Sequence, residues 1–176
     1  MGQIIVKCIE GAILLFIALI SDIKSYKIRN KLIITFTALG LITNSCFAKY
    51  EGLISSLLGI VIPLVLLIVL YALRMLGAGD IKLFCALGAI FGAEYIIEII
   101  AYSFLAGGII AFFFLLMRRN AKERFRHLYN YFKTVFLTFS FMAYTEFEDK
   151  KDKGKFRFAY AVFTGTSFFI IKTLFI

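Results

Sequence analysis

Residues 53–73 form a run of 21 residues with no charged side chain. About 20 apolar residues is the length an α-helix needs to cross the hydrocarbon core of a bilayer. Inside lipid no water satisfies the backbone, so such a run must bond its own N–H and C=O groups. The run therefore predicts a transmembrane helix, bent at Pro63, the only proline in the chain, because that residue removes one backbone bond.

Six further uncharged or mostly apolar runs surround it, five of them candidate spans. Residues 4–20 are apolar except Lys7 and Glu10, which lie three apart and can pair on one helix face. A cleaved signal peptide would need a small-x-small site, and Ala18-Leu19-Ile20 lacks one. Residues 32–48 follow, with 49–52 as a turn before 53–73. Residues 81–93 carry only Lys82; at roughly 20 Å of helix they are short for a core of about 30 Å. Either the preceding loop dips below the membrane surface or this helix extends past Glu94. Residues 95–117 come next, with Glu98 near the start, and 156–176 come last, with Arg157 and Lys172 near the two ends. Residues 134–145 are uncharged but too short to span, and their aromatic content between basic flanks suits a helix lying in the interface.

A hydrophobic fraction of 61% does not fit a soluble domain. The expected fold is all-α and integral to the membrane: one domain over residues 1–176, a six-transmembrane-helix bundle with a short interfacial segment before the last helix. Small residues must let these helices pack, and Gly59, Gly88, Gly107 and Gly108 are the candidates.

The net charge is +9. The basic residues lie between apolar runs, so they point to cytoplasmic loops and anionic lipid, not to nucleic acid. With six helices, all of the 20 Lys and Arg residues except Lys7, Lys49 and Lys172 fall on one side. The positive-inside rule makes that side cytoplasmic, with both termini outside and Asp22 and Asp80 at the cytoplasmic edge. Cys8, Cys46 and Cys85 are widely spaced, and His127 is the only histidine. This excludes a zinc motif and a disulfide framework, and it leaves buried, inert thiols as the expectation.

Among the four Asp residues, Asp149 and Asp152 sit in a highly charged loop, whereas Asp22 and Asp80 each end an apolar run. An ionisable group at a membrane segment is a functional-site candidate. The bland alternatives are an N-cap for Asp80 and charge balance with Lys24 or Lys27 for Asp22. Gly77 and Gly79, just before Asp80, predict a tight turn with positive φ. Two carboxylates brought together can share one proton, so that one activates a water while the other donates to a scissile carbonyl. Such peptide hydrolysis needs no metal and no cofactor.

Gly77-Ala78-Gly79-Asp80-Ile81-Lys82 resembles the Gly-x-Gly-Asp-x-Lys signature of the type IV prepilin peptidases, integral membrane aspartic endopeptidases. Ser21-Asp22 followed by Ile28-Arg29-Asn30 resembles the family's first motif, with Arg29 in place of a proline. Residues 155–165 are similar to its last-helix entry, again without the usual proline. The resemblance implies Asp22 and Asp80 as the catalytic pair, Gly77 and Gly79 as loop-shaping residues, Asn30 as part of the first motif, and Lys82 nearby. It implies a prepilin or pseudopilin as substrate, whose basic leader is removed at the cytoplasmic face of the cell membrane. The Cys-x-x-Cys insertion of members that also N-methylate is missing, so the chain is similar to the short branch found with tight-adherence Flp pili. Two other readings stand beside it. In a presenilin-like enzyme the first Asp would lie in the helix directly preceding the second. In a non-enzymatic transporter or assembly scaffold, Glu98 would matter more than Asp22.

Overall fold

The computed structural model describes residues 2–25, 29–73, 75–117 and 158–175. Among them the chain is helical throughout: α1 (Gly2–Ser25), α2 (Asn30–Ala72), α3 (Ala78–Phe91), α4 (Ala93–Met117) and α5 (Phe158–Phe175). Four of these, α1, α2, α4 and α5, are long and apolar enough to cross a membrane. The expected interfacial segment 134–145 lies outside the described residues.

The described residues hold five helices where six were expected, and the difference lies at residues 48–49. The helices expected over 32–48 and 53–73 run together as α2, broken only at Ala48 (φ −122°, ψ 16°) and Lys49 (φ 48°, ψ −125°). Asn44 Nδ2 donates to Ser56 Oγ at 2.7 Å. Twelve residues of straight helix would separate the two by about 18 Å. The chain therefore doubles back at the break, and two arms of α2 lie side by side. A Cβ on Gly52 would overlap the Asn44 carbonyl oxygen, so the reversal needs a residue without a side chain there.

The short helix α3 is the centre of the bundle. It packs against α1, α2 and α4, and Leu83, Phe84 and every residue from 86 to 91 are buried. A helix that is apolar all round belongs in an interior. Its closest neighbour is the second arm of α2. A Cβ on Gly59 would overlap the Gly88 carbonyl oxygen, and one on Gly88 would overlap that of Gly59. Gly107 also makes a close approach, its position for a Cβ lying 3.1 Å from Ala161 Cβ, but Gly108 faces open space. Rings close the gaps between α3, α4 and α5: Phe84 stacks on Phe104, and Phe91 meets Phe169 edge-on with centroids 5.5 Å apart.

Helix α3 does not extend past Glu94. It stops at Phe91, and Gly92 turns the chain into α4 with φ 89°, a conformation that favours glycine. Its last carbonyls are thereby left without helical partners inside the bundle. Asn44 donates to Ala89 O at 2.9 Å and to Ile90 O at 3.0 Å. Ser56 also donates to Ala89 O, at 2.9 Å, and Lys7 Nζ donates to Phe91 O at 3.3 Å. The expected Lys7–Glu10 pair is thus replaced. Lys7 serves the negative end of α3, where a cation is favoured, while Glu10 accepts from Thr43 at 2.6 Å. The thiols differ from expectation as well: Cys8 is buried, Cys85 half-buried and Cys46 exposed.

Candidate active site

Asp22 lies in the last turn of α1, which continues past the expected end at residue 20 as far as Ser25. Asp80 lies in the first turn of α3. Both are half-buried. Although 58 positions apart in sequence, they are close enough that the Asp22 charge acts on Asp80. Packing of α1 against α3 makes this possible.

The glycine stretch folds differently from expectation. Among the described residues only Lys49 and Gly92 have positive φ. Gly77 is the N-cap of α3, extended at φ −77° and ψ 147°, and Gly79 is already helical. Asp80 is therefore not the N-cap. It sits three residues inside, the position of the carboxylate in a capping box, where the Gly77 backbone acts on it; its own N–H donates to Gly77 O at 3.1 Å. Gly77 also gives the carboxylate room: a Cβ there would stand 3.1 Å from Asp80 Oδ2, which would have to give by a few tenths of an ångström. A Gly-x-x-Asp spacing at the head of an apolar run is the signal that could have shown this arrangement in sequence.

Electrostatics set Asp80 apart. Its carboxyl is pushed up to about 6, chiefly because burial strips water from the charged form, with the Asp22 charge adding to the rise. The Gly77 N–H works the other way by favouring the carboxylate. Between its ordinary range and about pH 6, Asp80 can therefore hold a proton that a solvated carboxylate would release.

Two other residues singled out in sequence also meet. Lys82 Nζ donates to Asn30 Oδ1 at 3.1 Å, tying the N-terminal part of α3 to the first residue of α2. Arg29, which stands where the family motif has proline, is the N-cap of α2 with φ −70°. That is the φ a proline ring would impose, so the arginine leaves the backbone at this residue in proline-like geometry.

Glu98 is engaged elsewhere. It pairs with Lys172 of α5 and accepts from Tyr102 Oη at 3.2 Å. This cluster joins α4 to α5. Sequence reasoning missed Asn44 and Ser56, which hold the far end of the helix that carries Asp80. A polar side chain within an apolar run was the available signal.

The model of the type IV leader peptidase family matches residues 9–112. That span includes Asp22, Asn30, the glycine stretch, Asp80 and Lys82. No curated protein and no solved structure matches the chain.

Proposed function

We propose, on the premise that this chain belongs to the type IV leader peptidase family, that it is an aspartic endopeptidase whose catalytic pair is Asp22 and Asp80. The observation that carries the reading is that packing of α1 against α3 brings Asp22, in the last turn of one, within reach of Asp80, in the first turn of the other; burial first, and the Asp22 charge in smaller part, raise Asp80 to about 6. Asp80, whose carboxyl is raised, is assigned as the acid that polarises the scissile carbonyl. Asp22, ionised, is assigned as the base that takes a proton from the attacking water. After attack the proton taken up by Asp22 goes to the leaving amine. Neither carboxylate forms a covalent intermediate.

The substrate is a Flp-like prepilin or a pseudopilin, cut between its basic leader and its hydrophobic segment. α1, the two arms of α2, α4 and α5, with the short α3 at the centre, form a bundle of six membrane-inserted rods. The charge of the basic loops supports a position of the Asp pair at the cytoplasmic face of the cell membrane, next to anionic lipid. Gly77, Gly79, Asn30 and Lys82 shape the approach of substrate.

The test is leader removal from a prepilin by membranes that carry the protein, followed by gel shift. Wild-type membranes should cleave, and membranes carrying the Asp22→Asn/Asp80→Asn double variant should not. Equal cleavage by both would remove the aspartic-peptidase reading. Cysteines introduced at Lys27 and Lys122 report the orientation, and both should label only from the cytoplasmic side.

A further inference from the structure

A second polar region lies at the end of the bundle away from Asp80. On α1, Lys7 and Asp22 are 15 residues apart, about 22 Å along the helix. On α3, Asp80 is at the first turn and Phe91 at the last residue. Around Lys7 is a cavity of about 350 Å³, lined by Gln3, Lys7, Asn44, Glu51, Ser55 and Glu94 among others. This volume falls within the range of about 300–1,000 Å³ found for small-molecule sites.

Part of the lining is already engaged. Asn44 is bonded to Ser56, Ala89 and Ile90, and Ser55 Oγ accepts from Ala93 N at 3.3 Å. Three charged groups have capacity left. Lys7 is only 7% exposed, and an ammonium has three donors. Among the described residues its single hydrogen-bond acceptor is Phe91 O, at 3.3 Å. The Glu94 and Glu10 charges both act on Lys7, yet no ion pair within 4 Å joins either to it among the described residues. Glu51 and Glu94 are exposed at the cavity.

A buried cation and two outer carboxylates therefore face one volume without closing on each other. The ligand that fits is dipolar, with an anionic group for Lys7 and a hydrogen-bonding ammonium for Glu51 and Glu94. The cavity sits where α1 and α4 begin and where α2 reverses, at the ends of membrane-spanning helices, which is the headgroup level of a bilayer.

We propose that this cavity is a binding site for the headgroup of an ethanolamine phospholipid, with the phosphate at Lys7 and the primary ammonium at Glu51 and Glu94. A choline headgroup has no N–H to give the carboxylates. A glycerol headgroup offers them no cation, and its net negative charge is repelled. The site is separate from the Asp22–Asp80 pair and does not depend on its chemistry.

The experiment is native mass spectrometry of the full-length protein, released from vesicles of equimolar phosphatidylethanolamine, phosphatidylcholine and phosphatidylglycerol. One phosphatidylethanolamine per chain should be retained over the other two. In the Glu51→Gln/Glu94→Gln variant its retention should fall at least about fivefold, while that of phosphatidylglycerol, no longer repelled by the two carboxylates, should not fall. Both glutamates are exposed, so this variant should fold, and unchanged prepilin cleavage checks that it has. Equal retention of the three lipids would overturn the proposal. So would an undiminished preference for phosphatidylethanolamine in the variant, or retention of phosphatidylglycerol alone.

Discussion

Lys82 Nζ donates to Asn30 Oδ1 across 52 positions of sequence. The bond spans from the helix that carries Asp80 to the start of α2, just beyond the connection that leads from Asp22. It is an exposed bond, so its net contribution to stability is only about 0.5–1.5 kcal/mol. Its larger consequence is positional.

Lys82→Met and Asn30→Ala should each lower kcat for prepilin cleavage by roughly tenfold, about 1.4 kcal/mol, because a misplacement near 1 Å is costly in catalysis. The double variant should be little worse than either single one, since both remove the same contact. Fully additive losses in this cycle would show that the two residues act separately.

Asp22→Asn and Asp80→Asn should each reduce cleavage at least about 10²-fold, while Asp149→Asn and Asp152→Asn leave it unchanged. An amide has nearly the shape of a carboxyl group. Packing should therefore survive while proton transfer is lost. Because each carboxylate acts only with the other, combining the two substitutions should add little. Near-normal leader removal by either single variant, at matched protein levels, counts against the pair.

Asp80→Asn should also stabilise the protein at neutral pH. The raised value near 6, against an ordinary 3.8, means that the folded state holds a proton which the unfolded state releases. Below pH 3.8 the carboxyl is protonated in both states and carries no penalty. Between pH 3.8 and about 6 stability falls as pH rises, and above 6 the full cost, about 3 kcal/mol, is present. Thermal unfolding in detergent should show the variant above wild type at pH 7.5, with the gap closed near pH 4. A gap that does not vary with pH would mean that Asp80 titrates normally.

Gly77→Val should depress cleavage tenfold or more without loss of helix content. The new Cβ would stand 3.1 Å from Asp80 Oδ2, and the carboxylate must shift to make room. Circular dichroism and the cleavage assay on the same sample check this. Wild-type turnover would show that the carboxylate moves freely.

Asn44→Leu should destabilise the bundle by about 1–3 kcal/mol. It removes the donors to Ala89 O and Ile90 O, and a buried carbonyl left without a partner costs about 1–3 kcal/mol. Ser56 still donates to Ala89 O, so Ile90 O should suffer most. The readout is the midpoint of thermal unfolding in detergent, and an unchanged midpoint would mean that water replaces the amide.

Residues 53–73, 95–117 and the other long apolar runs specified their helices locally, because a bilayer leaves an uncharged run of that length little choice but to bond its own backbone. The same local logic picked out Asp22 and Asp80 as carboxylates at the ends of such runs. The tertiary structure decided what those helices do to each other. It turned Lys7 from Glu10 to Phe91 O, gave Asn44 the open carbonyls of α3, set Gly59 against Gly88, and made Asp80 an inward-reaching third residue in place of an N-cap. Apolar periodicity describes one helix at a time, whereas each of these contacts joins chemically ordinary residues on separate segments. Which acceptor a buried donor finds is settled only when the backbones meet, and there the cost of an unpartnered polar group selects the arrangement.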